Sequence, residues 1–472
     1  MAGTILAFAG GVAAWSLSWF NGSPQVPMMQ LDHVAELRPL LSPNASIYLP
    51  GSEGFAAATD RWTRWKNPAF EVVVEVTTEE DVSNTIRYAN EHGRPFLAVS
   101  GGHGGTMHLA NVENGVGIWM KKFKSVELPE DGHSATIEGG VISKDLVDAL
   151  WERGKQTALG GGHGWLQGHH GLLADQIILA RLVLANGSAV TVSTTSHPDL
   201  FWALRGAGHN FGIVTSMEYR VYDRTPENEK WSLEFLIFQE TELENVLQKL
   251  NAMMEKFKDV VETCALPIII LVFLYQGQVV PPEYTTPFAD LYPISHDKLS
   301  TDLPGLVAPL MLHNEGPGCQ TGSSVLRFPF GGQRYNIEGL RKAYDILADL
   351  PQKLAQSWMI IEGYSMSGVQ SINAEDSALP DRHNDLLMAA FMVFTPEDEA
   401  LDQQATKYGK SMRDAVVNAS GDGLTAYVNY AYGDESQEAI YVSEPWRLER
   451  LRKLKALYDP QGRFNFYNPI LR

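Results

Sequence analysis

Cysteine is scarce: Cys264 and Cys319 are the two in 472 residues. They allow one disulfide at most and match no zinc-ligand spacing, which excludes a disulfide-scaffolded mini-domain and a cysteine zinc site. Basic residues run short as well, with 37 Lys plus Arg against 56 Asp plus Glu and a formal charge of −19. Such a chain repels polyanions as a whole, so nucleic acid is not an expected partner. Repeats and low-complexity stretches are absent, which excludes solenoids and disordered tails. The body of the chain also lacks an apolar run long enough for a bilayer. Residues 265–274 (ALPIIILVFL) are too few and contain Pro267, so they read as a buried strand, and no integral membrane segment is expected.

Charge is missing altogether before Asp32, and residues 4–20 are mostly apolar. Residues 1–20 read as a secretory signal peptide, with Ser16 and Ser18 as small residues near a cleavage site but no basic start; a buried helix is the alternative. The first reading places the protein in the secretory pathway or outside the cell, the second in the cytoplasm. Four N-x-S triplets, at Asn21, Asn44, Asn186 and Asn418, become glycan acceptors on the secretory reading.

The remaining composition, 44% hydrophobic and 20% charged, is that of a globular chain long enough for two or three domains. Residues 70–76 alternate as a strand, Thr78 and Asp81 open a helix, and 95–99 resume an extended pattern. Residues 115–120 and 134–140 read as strands, and Ser143 caps a helix through Arg153 with Leu146, Val147 and Leu150 on one face. Residues 177–192 read as a hairpin whose Asn186-Gly187 pair suits a type I′ turn. A short helix over 199–205 and a strand over 213–221 complete an α+β unit. The polar stretch 223–230 marks a boundary. Beyond it a strand (231–238), an amphipathic helix (242–257) and further alternation to about Tyr432 indicate an α/β unit with an antiparallel sheet.

Two glycine runs carry the chemistry: residues 100–105 (SGGHGG) and 160–164 (GGGHG). Glycines let backbone N–H groups approach a phosphate, so each run is an anion cradle; neither is a Walker loop or a G-x-G-x-x-G helix start. Glycine-rich turns without a ligand are the plain alternative. The histidines nearby, His103, His108, His163, His169 and His170, raise a metal site, but no helical His–carboxylate pair or cysteine accompanies them, and no metal is expected.

Together with "DLFWALRGAGHNFGIVT" and the C-terminal "YVNYAYGDES…RLRKLKALYDPQGRFNF", these runs resemble the fungal FAD-linked oxidases. Those enzymes have a flavin domain of the vanillyl-alcohol-oxidase (PCMH) type and a berberine-bridge-like C-terminus. The resemblance spans roughly residues 42–470 and implies an α+β fold in which 66–223 and the returning tail 433–472 hold FAD, while 224–432 bind substrate over its ring. It further implies that His103 is bonded to the flavin, with Gly101, Gly102, Gly104 and Gly105 beside the pyrophosphate. Gly160, Gly161, Gly162 and His163 would line the flavin from the other side. Asp175, Ile213 and Val214 fall in segments resembling further cofactor contacts, although Asp175 could cap a turn and Ile213 could be core. The base matches Tyr430, with Tyr427 beside it as the alternative, on what reads as a strand of packed tyrosines. Such a base needs a charge or hydrogen bond that favours its deprotonated form. Glu362 and Tyr364 are expected to face the substrate.

The chain departs from the pattern in two places. Related chains carry a further strand and glycine-containing turn between the helix ending near Gly154 and the run at Gly160, and relatives with a second, cysteinyl flavin tether place it there. Here three residues, Lys155-Gln156-Thr157, almost bridge that interval and no cysteine is near, so a second tether is not supported. Val99 stands where many relatives have Arg. The expectation is an FAD-dependent oxidase of a small organic substrate in fungal secondary metabolism, with molecular oxygen as acceptor. A secreted carbohydrate or alcohol oxidase is the first alternative, and a flavin-free ligand-binding paralogue the second.

Overall fold

A computed structural model of the chain describes residues 28–157, 162–256, 261–265, 268–380, 382–442 and 444–471. Strands β1 (Ser46–Tyr48), β2 (Phe70–Glu75), β3 (Phe96–Val99) and β4 (Gly115–Trp119) form a first sheet in the order β1-β2-β4-β3. The last three are parallel neighbours, and parallel strands need a crossover, here the helix Glu79–Glu91. That helix starts in a capping box: Thr78 Oγ1 accepts from the Asp81 N–H and the Asp81 carboxylate accepts from the Thr78 N–H. Its Val82, Ile86 and Ala89 pack with Val72, Val74 and Ile118. Because β1 pairs antiparallel with β2, this unit begins N-terminal to Lys66, earlier than the sequence indicated.

Seven strands follow: β5 (Val126–Glu127), β6 (Ser134–Glu138), β7 (Lys155–Gln156), β8 (Ile177–Val183), β9 (Ala189–Ser193), β10 (Ile213–Arg220) and β11 (Tyr222–Asp223). Five make an antiparallel sheet, β5-β6-β10-β8-β9, while β7 and β11 pair separately. Two local expectations fail here. The helix Ser143–Trp151 has Ile142 at its N-cap with no side-chain cap bond, so Ser143 is helical and not the cap. The β8–β9 connection is not type I′, because only Gly187 has positive φ (78°); the Gly187 N–H donates to Leu184 O, a β-turn closed by one left-handed glycine.

The second unit is one seven-stranded antiparallel sheet. Its strands are β12 (Trp231–Phe238), β13 (Val261–Ala265), β14 (Ile269–Gln276), β15 (Ser295–Thr301), β16 (Ser324–Gly332), β17 (Trp358–Gly363) and β18 (Leu386–Phe394). Their order is β15-β12-β14-β13-β17-β18-β16. The apolar run 265–274 is therefore not one strand, since it joins the end of β13 to the antiparallel β14. Pro329 sits within β16, which lies at the sheet's edge, where a missing N–H costs no ladder bond. Side chains alternate between faces. Leu386, Met388, Ala390, Met392 and Phe394 join Phe328, Phe330, Met359 and Ile361 in one core with residues of the helices Leu243–Lys256, Ile337–Ala348 and Glu399–Ser420. The opposite face presents Val325, Ala389, Phe391, Trp358, Ile360 and Val393, clustered with Trp62 and Tyr430. No described helix is long and apolar enough to cross a membrane.

Candidate active site

Strand β3 delivers the first glycine run into a cavity of about 400 Å³, within the range of about 300–1,000 Å³ usual for ligand sites. Its walls are Gly101, Gly102, His103 and Gly104, then Ile213 and Val214 at the start of β10, and then Phe464, Phe466 and Tyr467 from the tail. Gly102 has φ 70°, a left-handed backbone conformation that favours glycine. Arg61 Nη2 donates to Gly104 O (2.7 Å) and Arg327 Nη2 donates to Gly105 O (2.9 Å). Both guanidiniums are buried, and the Nε–H of each lacks a partner among the described residues. His103 lies parallel to the Trp62 ring, 5.7 Å away with planes 4° apart. Its imidazole is open to the cavity, yet desolvation by the surrounding wall, followed by the charges of Arg327 and Arg61, holds its pKa below the ordinary value. A neutral ring is the nucleophilic form.

A second group lies on the open face of the seven-stranded sheet. Glu362, buried on β17, accepts from Tyr430 Oη (2.9 Å) through Oε2 and from Tyr364 Oη (2.9 Å) through Oε1. Tyr427 and Tyr430 are not on a strand: the Tyr430 N–H donates to Tyr427 O, so the two phenols sit on one turn with ring centres 5.4 Å apart. Asn429 Nδ2 donates to Tyr427 Oη at 2.7 Å. His163 stacks on Tyr364 (5.7 Å) and meets Tyr427 edge-on (5.0 Å), and its Nδ1 bonds Gln167 Oε1. Burial pushes its pKa down to about 4, which keeps the ring neutral. Burial, then the charge and hydrogen bond of Glu362, push the Tyr430 pKa well above 10. Tyr430 is therefore no standing phenolate; it can accept a proton only while passing its own to Glu362. The groups adjoin: Arg327 acts electrostatically on both His103 and Tyr430, and Tyr467 of the cavity wall acts on Tyr427.

The other residues singled out by sequence fall as follows. Gly160 and Gly161 lie outside the described residues. Gly162 has φ 149°, and a Cβ there would meet Tyr427 Oη at 2.5 Å, so it serves the tyrosine turn. Gly105 sits beneath Arg327. Asp175 is buried away from the cavity, its oxygens 2.7 and 2.9 Å from the Arg382 guanidinium, and it accepts from the Leu172 N–H. The histidines do not converge: His108 bonds Thr106 and His170 stacks on Tyr222 at 3.5 Å. Among the described residues no group of three His, Cys, Asp or Glu could hold a metal ion. Asn44, Asn186 and Asn418 are exposed, and Asn21 is outside the described residues. The shortened interval forms the brief strand β7, tied to β11 by Lys155 Nζ and Asp223 Oδ1 at 2.6 Å. Sequence reasoning missed Arg61, Trp62, Arg327 and Tyr467. A signal existed for one of them, since Arg327 interrupts the apolar alternation of "SVLRFPF".

The cavity suits a flavin dinucleotide. A side-chain-free loop and a buried guanidinium with an unused N–H suit an anionic linkage, and Phe96, Leu97, Ile213, Phe464 and Phe466 offer apolar walls for flat rings.

Comparison with known proteins points to the same cofactor. The family described as FAD binding domain matches residues 70–193, and that described as berberine and berberine like matches 426–470. The chain is 35% identical to the FAD-linked oxidoreductase chyH of Penicillium rubens over 97% of this chain and 98% of that one. It is 39% identical to the FAD-linked oxidoreductase anuG of Penicillium roqueforti, over 92% and 91%. The chyH alignment extends over 496 residues, more than this chain's 472, so that relative carries residues absent here. Among solved structures, a carbohydrate oxidase from Microdochium nivale superposes with a TM-score of 0.79 at 19% identity, over 92% of this chain and 98% of that one.

Proposed function

The chain belongs to the FAD-linked oxidoreductases, and on that premise we propose that it oxidises a hydroxyl-bearing carbon of a small organic molecule in fungal secondary metabolism, with dioxygen as acceptor. The observation that carries the reading is the 2.9 Å bond from Tyr430 Oη to Glu362, beside the cavity that holds His103. FAD, when bound, supplies the two-electron acceptor for the hydride leaving the substrate carbon. The chain's own residues manage the proton. The substrate hydroxyl gives its proton to Tyr430 Oη as the Tyr430 proton moves to Glu362 Oε2, so no free phenolate forms in the buried site. Tyr364 holds the other carboxylate oxygen and fixes its orientation. Overall, two electrons and two protons pass from substrate to dioxygen, giving a carbonyl and hydrogen peroxide. Gly101, Gly102, Gly104 and Arg61 would hold the cofactor's anionic linkage. His103, kept neutral and stacked on Trp62, is positioned to carry a covalent bond to it.

The test is the visible spectrum of purified protein followed by acid precipitation. Yellow colour that stays with the pellet, and leaves it in His103→Ala, is the expected result. A preparation that is colourless and stays so on refolding with FAD sinks the proposal; peroxide release on a panel of alcohols then tests the acceptor.

A further inference from the structure

Five arginines are buried in the described structure: Arg61, Arg327, Arg382, Arg413 and Arg447. Three have carboxylate partners, Asp175, Asp434 and Glu444 respectively. Arg61 and Arg327 have none within ion-pairing distance among the described residues. A buried guanidinium without an anion is costly, so each marks a place where an anion belongs. The two donate to successive carbonyls of the same loop, Gly104 and Gly105. Arg61 lines the cofactor cavity, which accounts for it; Arg327 does not line it.

Arg327 touches the same loop but belongs to the sheet's site face. On β16 it is the cross-strand partner of Phe391 on β18, and Phe391 is in turn the partner of Trp358 on β17. All three side chains share the site face. Phe391 and Trp358 stack with centres 4.1 Å apart and planes 7° from parallel, Phe391 meets Tyr430 edge-on at 5.8 Å, and Trp62 covers the guanidinium at 5.5 Å. The Trp62 indole N–H is spent on Gly318 O. The side chains on this face are apolar, with the Tyr430–Glu362 dyad at one end and, at the other, a buried guanidinium that has no carboxylate partner among the described residues. A guanidinium among aromatic rings, without a carboxylate of its own, favours a planar anion over a neutral ligand.

We propose that Arg327 is the anion subsite for the substrate, which is a planar organic oxyanion such as an aromatic carboxylate, laid on the Trp358–Phe391 wall with its oxidisable hydroxyl at Tyr430. This rests on the flavin reading above. The guanidinium sets binding preference and orientation; the proton chemistry stays with Tyr430 and Glu362.

The experiment titrates the flavin-loaded full chain at pH 7 with benzoate, 1-naphthoate, benzamide and cellobiose, following the flavin difference spectrum. The two carboxylates are expected to bind at least about tenfold more tightly than benzamide, with no perturbation by cellobiose, since a paired carboxylate–guanidinium contact contributes about 1.5–3 kcal/mol. Arg327→Gln is expected to abolish the preference and Arg327→Lys to keep part of it. Equal binding of benzoate and benzamide to the wild type overturns the proposal, as does a preference that survives in flavin-loaded Arg327→Gln or tight binding of cellobiose. If both variants purify without flavin, Arg327 belongs to the cofactor and the proposal falls. A colourless wild type is seen before any titration and marks failure of the flavin reading instead.

Discussion

The two faces of the seven-stranded sheet are made by the same strands, often by adjacent residues, yet they obey different rules. Toward the helices, β16, β17 and β18 present Phe328, Phe330, Met359, Ile361, Met388 and Met392, all nearly inaccessible. Toward the first unit, the alternate positions carry Arg327 and Glu362 among Trp358, Ile360 and Phe391. The one buried charge among the described residues of the first face in β12, Glu234, is neutralised by His296 and Lys298 on the neighbouring edge strand. On the second face two charges are tolerated because each has a specific use, one through hydrogen bonds to tyrosines and one awaiting a counter-charge. One strand thus separates stability from chemistry by the direction a side chain points.

That separation can be broken by experiment. Glu362→Gln, on the site face, is expected to lower the rate of anaerobic flavin reduction by about 10²–10⁴-fold with little change in thermal midpoint. Tyr430→Phe should lose as much, and the double variant scarcely more, since the pair works as one relay. Fully additive losses would show two independent roles. On the helix face, Phe328→Ala should cost about 3–5 kcal/mol in urea unfolding while activity per folded molecule stays near wild type. Phe328 stacks on Tyr432 at 4.7 Å.

Acid should reveal the same asymmetry. Burial lowers His163, His170 and His209 each to about 4 from the ordinary 6.5; all three belong to the first unit, and His209 packs against Tyr441 and Tyr467 of the returning tail. Between these values the unfolded chain binds protons that the folded chain refuses, so stability falls as pH drops from about 6.5 to about 4. The helices behind the sheet contain no histidine. A thermal midpoint flat across that window would refute the assignment, and His170→Phe should flatten part of the slope. The smallest expected effect is that of Asn336→Ala. Its Oδ1 accepts the Gly339 N–H at 2.8 Å to start the helix Ile337–Ala348, and its loss should cost about 1 kcal/mol in unfolding and nothing in turnover.

The parts legible in sequence are those where local chemistry decides. The Thr78–Asp81 box, the alternation of residues 231–238 and the glycine run after β3 each need only neighbours in the chain. Reading failed where a long-range partner decides. The 265–274 run looked continuous because nothing local shows that Ala265 ends one strand and Ile269 begins its antiparallel neighbour. Asn186 tolerates positive φ, but the pairing of β8 with β9 puts that demand on Gly187 alone. Tyr427 and Tyr430 were read as strand residues but form a turn, with partners, Gly162 and Glu362, that come from other segments. Asp175 went unrecognised as a partner of Arg382 for the same reason, and so did the unpaired state of Arg327, which is defined by what fails to arrive near it.

The cofactor cavity has one wall from residues 96–104 and another from Phe464, Phe466 and Tyr467, held by Asp459, whose carboxylate accepts from the Arg463 and Phe464 N–H groups. During synthesis the first wall leaves the ribosome long before the second. The two-walled cavity therefore exists only after translation has passed residue 467.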